Sequence, residues 1–102
     1  MNNSRKVLHQ ILVDLLGSRN VYFQPPASVK MQYPAIVYSR SRIDQKRADD
    51  RLYSMRKAYT VTVIDADPDS GIPDRVAELP LCRFSRHFKA DNLNHDVYDV
   101  YF

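Results

Sequence analysis

Ala58-Tyr-Thr-Val-Thr-Val-Ile-Asp65 is the stretch on which the fold turns. Tyr59, Val61 and Val63 alternate with Thr60, Thr62 and Ile64, and all six are β-branched or aromatic. Such side chains lose little freedom on a pleated surface and pack well there. With apolar character on both faces, the segment reads as a central strand covered on both sides. This periodicity speaks to architecture and is silent about function.

Working outward toward the N-terminus, Val7, Leu8, Ile11, Leu12, Leu15 and Leu16 recur at helical spacing on one face, with Arg5, Lys6, His9, Gln10 and Asp14 mostly opposite. Asn3 or Ser4 can cap the start, and Gly17 suits the left-handed residue that ends a helix. The expectation is a long helix packed across a sheet; its polar face is not cationic enough for a membrane-surface helix. Asn20–Gln24 predicts a short strand stopped by Pro25-Pro26, and Ala27–Gln32 a linker. Tyr33-Pro34 forces an extended start. Ala35–Arg42 then continues as a strand, with Ile36, Tyr38 and Arg40 on one face and Val37, Ser39 and Ser41 on the other. Residues 43–56 include the charged run Asp44–Arg51, which has no apolar face. They predict a loop, longer than a tight hairpin turn, that projects from the body.

On the C-terminal side, Asp65–Gly71 is a loop and Ile72–Leu79 a short helix, with Pro73 at its first position and Ile72, Val76 and Leu79 in one stripe. Leu81–Phe88 alternates Cys82, Phe84, Arg86 and Phe88 against Leu81, Arg83, Ser85 and His87, as a strand does. After a turn at Ala90–His95, Asp96–Phe102 forms the last strand, with Tyr98, Val100 and Phe102 on its buried side. The order α-β-β-β-α-β-β predicts an α+β fold: a mostly antiparallel sheet, a long N-terminal helix packed across it and a second short helix, all in a single domain spanning residues 1–102.

Composition narrows the function classes. Two glycines leave no glycine-rich phosphate loop, and no apolar run approaches the roughly 20 residues needed to cross a bilayer. The first residues are followed by a pattern broken by His9, Gln10 and Asp14, unlike a signal peptide. One cysteine, Cys82, excludes an internal disulfide and fits a reducing compartment. The expectation is a soluble chain made in the cytoplasm. The net charge of +3 hides an asymmetry: Met1–Lys57 carries eleven Lys/Arg against four acids, and Ala58–Phe102 four against eight. A basic front and an acidic back suit nucleic-acid contact through the front, or complementary faces joining identical subunits head to tail.

Several constellations bear on chemistry. Asp65, Asp67 and Asp69 imitate the opening of a calcium loop, but Ser70 and Val76 stand where that loop needs its glycine and its glutamate. The acids instead suit a solvated loop ahead of the helix at Pro73. His9, His87 and His95 show no metal-ligand spacing, although His87 and His95 can meet across a hairpin with Asp91 or Asp96 nearby. Cys82 on a strand is a small core residue rather than a nucleophile. No catalytic set is found and no cofactor is implied, so the chain is taken as a non-enzyme. Arg40, Arg42, Lys46, Arg47, Arg51, Arg56 and Lys57, with Tyr38, Tyr53 and Tyr59, form a basic stretch. It suits a solvated or subunit-contacting segment, or one that tracks a phosphate backbone while tyrosines stack on bases.

Taken in order, the amphipathic helix, the short strand ending in prolines, Tyr33-Pro34-Ala-Ile-Val-Tyr38, the charged loop and Arg56-Lys-Ala-Tyr-Thr-Val-Thr-Val-Ile-Asp65 resemble the small tail-completion proteins of long-tailed bacteriophages, the tail terminator or head–tail joining group. The resemblance implies a structural virion protein, a subunit of a homo-oligomeric ring, typically a hexamer, at the head-proximal end of the tail. Its partners would be copies of itself, the tail tube protein and the head connector or head-closure protein, with possible non-specific contact to packaged DNA and none to a membrane. It carries over no catalytic residues. On this reading Arg40, Arg42, Lys46, Arg47 and Arg51 contact a neighbouring subunit, the tail tube or DNA in the lumen. The alternative is a small nucleic-acid-binding protein using the basic segment 40–57.

Overall fold

The elements run α1 (Arg5–Leu16), β1 (Val21–Phe23), β2 (Ala35–Ala48), β3 (Arg51–Asp65), α2 (Ile72–Ala77), β4 (Cys82–Ala90) and β5 (Leu93–Tyr101). The computed structural model describes residues 4–49 and 51–102, of which 51–54 are described by backbone alone. The Ala58–Asp65 stretch occupies β3, and β3 takes the middle place in a five-stranded sheet ordered β1-β2-β3-β5-β4. The fold is α+β with the expected element order. The sheet is mixed, because β1 pairs parallel with β2 while the other three pairings are antiparallel.

Central placement holds, and both helices pack on one face of the sheet. Leu8, Leu12 and Leu16 of α1 and Ile72 and Val76 of α2 join one core with Ile36, Tyr38, Tyr59, Val61, Val63, Tyr98 and Val100, which all lie on the same face of the sheet. Burying each such aliphatic side chain contributes about 1.5–3 kcal/mol, so this single interface carries the domain. On the opposite face, which among the described residues neither helix covers, Ala35, Ala58, Ile64 and Val97 are buried and Val37, Ser39, Thr60 and Thr62 are half-buried.

The helix is twelve residues, an ordinary length rather than a long one. Its buried edge is narrower than the six-residue face in the sequence, for Val7 is 46% exposed and Ile11 and Leu15 are half-buried. Ser4 takes the N-cap position through its backbone, its carbonyl accepting from the Val7 and Leu8 amides, with no side-chain cap bond; Asn3 lies outside the described residues. Gly17 ends the helix at φ +80°, and its amide donates to the Val13 carbonyl at 2.9 Å.

Three register shifts redirect side chains, one of them near the far end of β2 between Lys46 and Arg47. Between Arg40 and Arg42 the β2–β3 register shifts by one, so that Arg40 opposes Tyr59 and Arg42 opposes Ala58. The extra residue is Ser41, whose hydroxyl donates to the Ala58 carbonyl at 3.1 Å. A second shift in β4 lies between Phe84 and Arg86, around Ser85. The strict alternation expected for Cys82, Phe84, Arg86 and Phe88 therefore breaks. Phe84 faces Tyr98 on the core side, whereas Arg86 and Phe88 oppose Val97 and His95 on the uncovered side. A bulge inserts one residue and moves everything after it to the other face.

Candidate functional site: the basic arm and the cleft at its root

The segment at 43–56 projects, but as strand and not as loop. The β2–β3 pairing runs on past Arg42↔Ala58 through Ile43↔Lys57, Asp44↔Arg56 and Gln45↔Met55 to Ala48↔Arg51. Six residues at about 3.4 Å each make an arm about 20 Å long. The molecule accordingly measures 51 × 24 × 23 Å, with a radius of gyration of 14.8 Å, against about 13 Å for a compact chain of this size. From Arg40 to Asp49 every residue is exposed. The ladder is backbone hydrogen bonding, which polar residues support as well as apolar ones, so no apolar periodicity announced it.

The arm separates the predicted contact residues. Arg40 lies on the helix-covered side, opposite Tyr59. Beyond the Ser41 bulge, Arg42, Asp44 and Lys46 alternate onto the uncovered side, and Arg47 stands near the tip, opposite Leu52 after a further shift. Arg42 pairs with Asp44 at 3.1 Å and lies 5.1 Å over the Tyr101 ring. Arg51 closes the ladder opposite Ala48; its side chain, like that of Tyr53, lies outside the described residues.

Of the tyrosines proposed to stack on bases, two are removed. Tyr38 and Tyr59 are 1% and 2% exposed and sit in the core. The Tyr38 oxygen accepts from Arg5 Nη1 at 3.1 Å and lies 2.7 Å from His9 Nδ1. Since Arg5 is the donor to that oxygen, the hydroxyl proton is left for His9, whose Nδ1 accepts. Burial and the Arg5 charge push the His9 pKa down, in keeping with a neutral acceptor ring. His9 is therefore part of the packing between α1 and β2.

The other titratable groups find equally local partners. His87 and His95 do not meet: His87 Nδ1 contacts Asp96 Oδ1 at 2.8 Å, and His95 stacks on Phe88 at 4.6 Å with an interplanar angle of 10°. Among the described residues no three His, Cys, Asp or Glu side chains converge as metal ligands. Burial, followed by the nearby Asp99, raises the Cys82 thiol pKa and disfavours the thiolate a nucleophile needs. Asp65 and Asp67 each accept, through Oδ1, the amide two residues on, at 3.0 and 2.9 Å. These bonds shape the acidic loop as consecutive Asx turns.

Where the arm joins the body there is an open cleft of about 770 Å³. Its walls come from the start of α1, the root of β3, the α2–β4 connection and the end of β5. Arg5, Arg56 and Lys57 line it, and no acidic side chain among the described residues does. Met55 and Leu81 form its apolar lip, 49% and 56% exposed. Leu81 is held there at φ +56°, a left-handed conformation that costs a non-glycine residue about 1–2 kcal/mol. Sequence reasoning missed this cleft, since four separated segments build it.

No helix among the described residues is long and apolar enough to cross a membrane. Compared with known proteins, the sequence matches no family model and no curated protein.

Proposed function

We propose that this chain is a structural subunit that completes the tail of a long-tailed bacteriophage, assembling as a ring at the head-proximal end of the tail and joining it to the head connector. The observation that carries the proposal is the arm: two central strands continue about 20 Å beyond the sheet with every described side chain from Arg40 to Asp49 exposed. An isolated two-stranded ribbon is marginal in water and gains order by lying on a partner. A ring needs contacts in which one face meets a different face of the next copy, and the segregated charge of this chain suits such contacts. In this arrangement Lys46, Arg47 and Arg51 face the tail tube or the lumen through which DNA passes. The chain then acts as scaffold and carries out no catalysis.

Light scattering coupled to size exclusion across a concentration series, with negative-stain images, tests this directly. A closed ring, alone or on added tail tubes, is expected; a chain that stays monomeric in both conditions refutes it. Reversing Lys46, Arg47 and Arg51 to Glu together is expected to abolish infectivity while leaving the melting temperature unchanged, and wild-type infectivity would sink the assignment of the arm. Nucleic-acid binding through residues 40–57 is the rival. It retains the cations but not Tyr38 and Tyr59 as stacking platforms, and it predicts DNA affinity falling steeply with salt.

A further inference from the structure

The cleft at the arm root and the acidic loop at the other end of β3 are complementary, and one chain cannot bring them together. Lys57 and Asp65 sit at the two ends of the sheet-embedded part of β3, eight residues and about 26 Å apart. We propose that the cleft receives the Asp65–Asp69 loop of a second copy of this chain. This rests on the reading of the protein as a self-assembling subunit and names the contact that would join its copies.

The two surfaces agree in three respects. No acidic side chain among the described residues lines the cleft; Arg5 is held by the Tyr38 hydroxyl and the Phe23 ring and Arg56 stands across the ladder from Asp44, so Lys57 is the cation an incoming carboxylate meets. Asp67 and Asp69 are exposed on the loop, interleaved with exposed Ala66 and Pro68, which match the apolar lip of Met55 and Leu81. Finally, the loop is already shaped for insertion. Its two Asx turns fix the backbone, Asn94 Nδ2 donates to the Asp65 and Ala66 carbonyls at 3.2 and 3.5 Å, and Pro68 restricts the tip. A preformed loop loses little entropy on docking. A tongue at one end and a socket at the other make a heterologous contact, the kind that propagates around a ring.

Zero-length carbodiimide coupling of a mixture of isotope-labelled and unlabelled protein tests the contact. The expected product joins Lys57 of one copy to Asp67 or Asp69 of another, identified by mass spectrometry; their separation within one chain makes the link intermolecular. Charge exchange gives an independent reading. Arg56→Glu with Lys57→Glu, and separately Asp67→Lys with Asp69→Lys, are each expected to weaken self-association about tenfold or more, since like charges then face each other. Mixing the two variants is expected to restore it, because each reversed socket then meets a reversed tongue. Asp67→Asn with Asp69→Asn keeps the turn-forming oxygen and removes the charge, so weakened association in that variant is not attributable to a lost loop shape.

Wild-type protein that self-associates without the Lys57 coupling, or variants that associate normally, overturn the contact while leaving a ring intact. Coupling and charge rescue that end in open chains or dimers keep the contact and overturn the ring.

Discussion

Leu12 gives the sharpest test of how the helix sits on the sheet. It is fully buried, between Leu8 and Leu16 on the same helical edge, against the strand residues of the core. Leu12→Ala removes three carbons with no solvent path to fill the space, and buried Leu→Ala changes cost about 2–5 kcal/mol. A middle value of about 3 kcal/mol is a large part of the roughly 5–15 kcal/mol that stabilises a typical domain. With 102 residues and an unfolding entropy of about 2.1 cal/mol/K per residue, it lowers Tm by about 14 °C. Val7 provides the contrast: it belongs to the same apolar pattern in the sequence yet is 46% exposed. Val7→Ala is expected to change stability by less than about 0.5 kcal/mol, helped by the better helix propensity of alanine. Urea titration of both variants, with the slope m compared to wild type, reads the two losses directly. Equal losses for Val7→Ala and Leu12→Ala would mean that α1 is rotated about its axis, and the assignment of its buried edge would be refuted.

Further outcomes follow from the same contacts. The folded-state pKa of His9 is pushed below its ordinary 6.5 by burial and Arg5, so its contribution to stability is full above pH 6.5 and is lost as pH falls through the folded value; His9→Gln should flatten the stability profile between pH 7 and about pH 5 in thermal melts. Tyr98 donates to the Pro73 carbonyl at 2.9 Å and burial pushes its pKa up to about 12. Tyr98→Phe should therefore cost about 1 kcal/mol in denaturant titration, with no change in that difference from pH 6 to pH 9. Replacing residues 44–56 with Asn-Gly, a turn suited to the Ile43↔Lys57 pair, removes the arm; Tm should stay within about 3 °C of wild type while ring formation is lost.

How legible the molecule was depends on what kind of interaction fixes each part. Element order followed from local pattern: the helical stripe of α1, the β-branched run of β3, Pro73 opening α2 and Gly17 closing α1 each encode a conformation within a few residues. The Tyr98 burial was visible as alternation. Less legible were the ribbon at 43–56, Phe88 on the opposite face from Phe84, and the packing of both helices on one face of the sheet. A backbone ladder of charged residues leaves no hydrophobic period, and the bulges at Ser41 and Ser85 shift phase by a residue without any distinctive residue type.

The sequence alone therefore determined which segments are helix or strand and which side chains are apolar enough to form a core, because those properties are carried by neighbouring residues. Tertiary structure decided the sheet order, the parallel place of β1, the withdrawal of Tyr38 and Tyr59 from the surface, and the union of four distant segments into a cationic cleft. Those features arise only when strands far apart in the chain choose partners, and that choice is made by the packing free energy of the whole domain.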